Sequence, residues 1–103
     1  MVKTADGKVS YSKTIQPVLN DSCGSCHSEG RAKGDLNLSS YQGLMKGGAS
    51  GAVVVPGDAD GSQIIGSVER TKEPFMPPSF AGDMPTQGIA AMRQWITEGA
   101  LDN

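Results

Sequence analysis

The sequence predicts a small all-α domain of three to four short helices joined by long loops, and three observations carry that reading. Where apolar residues recur at all, they mostly recur at helical spacing rather than in alternation. Fourteen glycines and six prolines put much of the remaining backbone into turns. The one extended run, Val53-Val54-Val55, stops after three residues at Pro56-Gly57, which leaves almost no sheet.

Each element has its own local reason. Residues 1–9 are polar and read as a flexible, frayed lead-in, which places the folded domain at residues 10–103. Over residues 10–20, Tyr11, Ile15, Val18 and Leu19 fall on one helical face. Pro17 removes a backbone hydrogen bond unless it lies in the first turn, so this helix is expected to be kinked or to start late. Residues 21–37 are polar and glycine-containing, hence loop. Ser39 or Ser40 is placed to cap a short helix through Met45, with Gly47, Gly48 and Gly51 ending it. Asp60 followed by Gln63 is a capping-box-like start to a helix whose apolar face is Ile64, Ile65 and Val68. Four of the six prolines fall in residues 71–85, a restrained, non-helical loop. The last helix is the clearest: Thr86 as cap, Ile89, Met92, Trp95 and Ile96 as its stripe, Gly99 as its stop.

Composition bounds the rest. A chain of 103 residues makes one domain, and a domain this small buries only a modest share of its surface. Leu, Ile, Val and Phe together number 19, a lean supply that approaches disorder-prone compositions. The net charge of only −2 argues the other way, because disorder usually needs high charge as well. A bound apolar plate would complete such a core, and loops this long in so short a domain make sense when they wrap something. The mildly acidic balance argues against nucleic acid as a partner. No apolar run approaches the length of a membrane span. No signal-peptide pattern is visible, and Met-Val-Lys-Thr-Ala-Asp-Gly-Lys reads as a processed or recombinant start.

The chemistry is concentrated in Cys23-Gly24-Ser25-Cys26-His27, which fits the pattern for covalent attachment of one haem. Two thiols three residues apart reach the two vinyl groups on one porphyrin edge, and the next residue projects its imidazole to the iron. A disulfide redox motif would sit at a strand-to-helix junction of a βαβ unit, and no such unit is visible. Structural zinc usually takes four Cys or His ligands, whereas the chain has two Cys and one His. A disulfide across three residues would staple almost nothing. Random placement would rarely put the only histidine directly after the second cysteine.

That single histidine makes bis-His ligation within the chain impossible. The sixth ligand is therefore Met, Lys, a weaker donor, water or nothing. Met1 lies on the lead-in. Met92 reads as core, and so does Met45. Met84, in Asp83-Met84-Pro85, is a rival. Met76, in Pro74-Phe75-Met76-Pro77-Pro78, is favoured because flanking prolines restrict the backbone and leave the thioether little entropy to lose.

The ordered set Cys23–His27, Gly34-Asp35-Leu36-Asn37-Leu38, Gly47-Gly48-Ala49-Ser50-Gly51, Val55-Pro56-Gly57-Asp58, Met76-Pro77-Pro78 and Trp95-Ile96-Thr97-Glu98-Gly99-Ala100 resembles the planctomycete-type cytochrome c domains, a branch of the class I cytochrome c fold. The likeness runs from about Tyr11 to the end. It implies three main helices around one haem c, with the N- and C-terminal helices crossing, and it implies Met76 as distal ligand opposite His27, with Pro77 beside it in the pocket. Leu36, Leu38, Ile64, Ile65 and Trp95 become haem-packing or core positions. Pro56 is assigned a carbonyl that orients the His27 ring. Such domains often occur within larger secreted proteins, including dehydrogenases and multihaem assemblies, and the resemblance implies a periplasmic or extracellular home.

A His/Met pair saturates the iron, so the expectation is an outer-sphere electron carrier rather than an enzyme. Its partners are redox proteins docking weakly at the porphyrin edge near Cys23 and Cys26. The alternatives are a gas sensor or peroxidase-like enzyme with an open or labile sixth site, and a docking module whose haem is inert. Arg31, Lys33, Lys46, Arg70 and Lys72 suit a steering patch, but scattered surface charge is mostly solvation and none is assigned a role.

Overall fold

The computed structural model describes residues 2–22, 27–28, 31–32, 36–49, 51–73, 76 and 84–103. Over these residues the fold is all-α. A wide π-helical turn, Tyr11–Ile15, runs into α1 (Gln16–Ser22), followed by α2 (Tyr41–Lys46), α3 (Gln63–Glu69) and α4 (Thr86–Thr97). The sheet content is a hairpin of two-residue strands, β1 (His27–Ser28) and β2 (Arg31–Ala32), with His27 opposite Ala32 and Ser28 opposite Arg31. Val53–Val55 joins no ladder.

The first helix answers the question posed by Pro17. Ser10 caps it, its hydroxyl accepting from the Lys13 N–H. The Gln16 N–H then reaches back to the Tyr11 carbonyl, a five-residue step. A proline ring collides with the carbonyl four residues before it, and widening the preceding turn accommodates that collision. With the π-helical turn leading into it, the α-helix proper thus starts late, at Gln16, with Pro17 in its first turn. It runs to Ser22, one residue before Cys23.

Two expected starts move. Thr86 is the first residue of α4, and Pro85 occupies the cap position with no side-chain bond. Proline's fixed φ suits a helix entrance, where a side-chain cap is dispensable. Likewise α3 starts at Gln63, not Asp60. Asp58 takes the Gly61 N–H in a tight turn, and the Ser62 hydroxyl accepts from the Val55 N–H and donates to the Asp58 carbonyl. The carbonyl of Val53 accepts the Ile64 N–H, so the extended valine run serves as the N-terminal lid of α3. By contrast α2 is capped as expected, the Ser40 hydroxyl accepting from Gly43 at 3.0 Å. α4 also stops where expected. Gly99, at φ +110°, allows the left-handed turn in which Gly99 N–H meets the Ile96 carbonyl and Ala100 N–H meets that of Trp95, both at 2.9 Å.

Residues of the lead-in make defined bonds to one another and to the chain's far end. Residues 3 and 9 pair around a turn closed by the Thr4 N–H on the Lys8 carbonyl and by Thr4–Asp6. Val9 is buried, and its N–H donates to Glu98 at 2.8 Å. Asn103 ties both ends of the chain together: its side-chain oxygen accepts from Tyr11 N–H and its amide donates to the Val9 carbonyl. Buried backbone groups must find partners, and these long-range bonds supply them.

The core is one contiguous cluster. Ile15, Leu19, Leu44, Met92 and Ile96 are fully buried within it. Where the start of α4 approaches α1, a methyl on Gly88 would lie 3.1 Å from Val18, so glycine permits the approach. An open groove of about 580 Å³ runs beside that contact, lined by Val18, Asp21, Pro85 and Ala91 among others. On the far side, Arg93 of α4 grips α3, with Nε 2.6 Å from Glu69 and Nη2 2.7 Å from Asp60. This clamp holds the Glu69 carboxyl below its ordinary range, chiefly through the Arg93 hydrogen bond. A depressed carboxyl pKa contributes stability above the unfolded value and loses it as pH falls through the folded one. Arg93→Ala is therefore expected to cost about 0.5–1 kcal/mol at neutral pH. The difference from wild type should vanish in urea titrations run below the folded pKa of Glu69.

Candidate functional site

Chain connectivity sets the proximal side. α1 ends at Ser22, so the Cys23–His27 motif follows directly on a helix whose buried face carries Ile15 and Leu19. At the motif's end the His27 backbone is paired to Ala32 in the small hairpin. A ladder at that point fixes the backbone direction of the residue after Cys26. Cys23, Cys26 and Pro77 lie outside the described residues.

The distal candidates separate in the fold. Met76 is half-buried, and its N–H donates to the Ser67 carbonyl of α3 at 3.0 Å. Met84 and Met92 are buried in the core cluster, and Met45 packs at its edge. The segment leading to Met76 is fastened to the same helix. Thr71 and Lys72 N–H both donate to the Gly66 carbonyl. The Gln63 side-chain amide donates to the Ser67 hydroxyl at 3.0 Å and to the Glu73 carbonyl at 3.2 Å. The Lys72 stem crosses Gly66, and its ammonium reaches the Asp60 carbonyl at 2.9 Å. Arg70, at φ +61°, makes the left-handed turn out of α3 that starts this return.

Gly66 is consequently a packing position. An ordinary Gly→Ala change inside a helix stabilises by about 1 kcal/mol. Here the new methyl would lie 2.5–2.7 Å from the Lys72 stem, its Cβ included. Gly66→Ala is expected to reverse the usual sign and destabilise by about 1–3 kcal/mol, read as a lower midpoint in chemical denaturation. Truncating Lys72 in the same background (Gly66→Ala with Lys72→Gly) should recover part of the loss.

The other pocket expectations fall in two places. Leu38, Ile64 and Ile65 are buried and Leu36 is partly so, all in one apolar cluster. Ile64 and Ile65 belong to the helix that anchors Met76. Trp95 is buried on α4 against Tyr11, ring centroids 5.3 Å apart, and Tyr41, 6.4 Å. Its indole N–H donates to the Leu101 carbonyl at 2.8 Å. Pro56 is exposed at the second position of a turn in which Asp58 N–H donates to the Val55 carbonyl. Gly57 at φ +83° fills the third, as a type II turn requires. That turn docks on α4, Gly57 N–H to the Ile96 carbonyl at 2.8 Å.

Gln63 and Ser67 were not among the expected site residues. Gln63 was legible only as half of a capping box, since its partner carbonyl lies ten residues away.

The donor set fits haem c: two thiols and an imidazole on one five-residue stretch, and a thioether on a segment tied to a buried helix. When bound, such a haem supplies a one-electron iron couple. No curated protein and no solved structure matches the chain. A family model described as planctomycete cytochrome C matches residues 23–79, more than half of the chain. That span runs from Cys23 through the Met76-Pro77-Pro78 segment and includes α2 and α3, the helix that holds Met76 by its amide. The chain therefore belongs to the planctomycete cytochrome c family, whose domains bind haem for electron transfer.

Proposed function

We propose that this protein is a monohaem electron carrier whose iron is ligated by His27 and Met76 and exchanges electrons by the outer-sphere route. The observation that carries the reading is the anchoring of Met76. Its amide is pinned to α3 while its side chain is only half-buried, inside the span that the family match covers. A thioether is a weak ligand for ferric iron, so it needs a backbone that holds it in place. Cys23 and Cys26 tether the group, and His27 supplies the strong ligand. With His27 and Met76 both holding the iron, a small molecule would have to displace a side chain to reach it, which favours carriage over catalysis. Met ligation and apolar surroundings raise the reduction potential.

Redox partners are proposed to dock weakly near Cys23 and Cys26, a parent or neighbouring dehydrogenase or multihaem protein being one such partner. Covalent haem attachment takes place outside the bacterial cytoplasm, which supports a periplasmic or extracellular location. No helix among the described residues is long and apolar enough to cross a membrane.

Visible spectra of the ferric holoprotein test the ligand set. Wild type is expected to show the weak far-red thioether-to-iron band. Met76→Ala should abolish it and lower the potential, while Met84→Ala should keep it. Loss of the band in Met84→Ala alone would overturn the assignment. Absence of the band in wild type, with fast carbon monoxide binding to the ferrous form, would favour the sensor or peroxidase-like alternative.

A further inference from the structure

We infer that Gln63 is a positioning residue for the distal ligand, acting through the backbone of the segment that ends at Met76; this rests on Met76 being that ligand. The geometry is a bracket. Gln63 is the first residue of α3 and Ser67 lies one turn on. The two hydrogens of one side-chain amide go to two acceptors, the Ser67 hydroxyl at 3.0 Å and the Glu73 carbonyl at 3.2 Å. The Ser67 carbonyl then takes the Met76 N–H at 3.0 Å. Glu73 and Met76 are thus both tied to one helix, three residues apart, at the entrance and the end of the stretch that delivers the thioether.

The residue type matters. An amide has two donor hydrogens and a carboxylate has none, so Glu would face the Glu73 carbonyl without a bond. Leu keeps the approximate bulk and removes both bonds. Gln63 is at the start of α3, where a negative charge is well tolerated, so Gln63→Glu tests the hydrogen bonds without weakening the helix. Ser67 is buried, and α3 is packed through Ile64, Ile65 and Val68. The anchor end of the bracket is therefore held by core packing, and Glu73 and Met76 are tied to it.

The experiment uses the holoprotein with haem attached. Imidazole displaces a thioether from ferric haem, and the rate of that displacement reports how firmly the segment holds Met76. Gln63→Leu and Gln63→Glu are each expected to raise the displacement rate roughly three- to tenfold, the worth of one or two net hydrogen bonds. Both should also speed amide hydrogen exchange at Met76. Glu98→Ala serves as the control. It removes the acceptor for Val9 N–H at the C-terminal cap of α4 and should lower stability while leaving the displacement rate within twofold of wild type.

Rates within twofold of wild type in both Gln63 variants would overturn the inference, as would faster exchange at Met76 without faster displacement. An equal acceleration by Glu98→Ala would assign the effect to global stability and also overturn it. Met76→Ala separates the two levels. If it keeps the far-red band, the ligand assignment fails and takes this inference with it. If it loses the band while the Gln63 variants are silent, only this inference fails.

Discussion

Trp95→Ala is expected to cost about 3–5 kcal/mol, the range for deleting a buried tryptophan. Set against a total of about 5–15 kcal/mol for a typical domain, that would leave much of the apoprotein unfolded at room temperature. The reason lies in what meets at this side chain. The indole is 1% exposed and touches the first helix through Tyr11 and α2 through Tyr41. Tyr11 and Tyr41 themselves pack edge to face at 5.3 Å. Aromatic pairs of this kind add about 0.5–1.5 kcal/mol beyond the area they bury. The indole N–H also holds the Leu101 carbonyl, and the Tyr41 hydroxyl holds that of Ala100 at 2.9 Å. The chain end beyond α4 is thereby folded back over the cluster. Trp95→Phe keeps most of the apolar area and loses the N–H bond, so it should cost markedly less. Guanidinium unfolding of both variants and wild type checks the ranking. Equal losses would mean that the hydrogen bond, not the packing, dominates.

The second large effect is alkaline. A tyrosine in an unfolded chain ionises near 10. In the fold, burial first, then the charge on Asp102 and then Tyr41, push Tyr11 up to about 12. Between those values the unfolded chain has released its proton and the folded chain has kept it. Stability is therefore full below about pH 10 and falls as pH rises through the folded value, by a total on the order of 2–3 kcal/mol. Tyr11→Phe should cost roughly 1 kcal/mol at neutral pH for the lost bond to Gln16. In exchange it should flatten the stability profile between pH 10 and 12. A series of urea melts across that window gives the answer. If the two profiles keep the same slope, the alkaline loss comes from another group.

These two effects and the distal-ligand bracket illustrate how legible the protein is in one dimension. The stripe of α4 and its stop at Gly99 could be read directly, because both arise from residues within a turn of each other. The cap of α2 by a serine is equally local. The starts of α3 and α4 were misplaced because competing local solutions exist. Asp58 rather than Asp60 closes the turn before α3, and Pro85 rather than Thr86 stands at the head of α4. The polar lead-in reads as free from its sequence alone. The bonds at its end go to Glu98 and Asn103, about ninety residues away.

The attachment motif belongs to the sequence alone. Its spacing is a matter of covalent geometry, and the single histidine already excludes a second histidine of this chain as a ligand. Which methionine is available is a tertiary matter. Met84 and Met92 are drawn into the apolar cluster, while Met76 is left half-buried with its amide on Ser67. Local pattern can mark a candidate donor, because proline and sulfur chemistry travel with the residue. It cannot say which donor is held, because the holding bonds come from a helix whose position is set by the packing of the whole core.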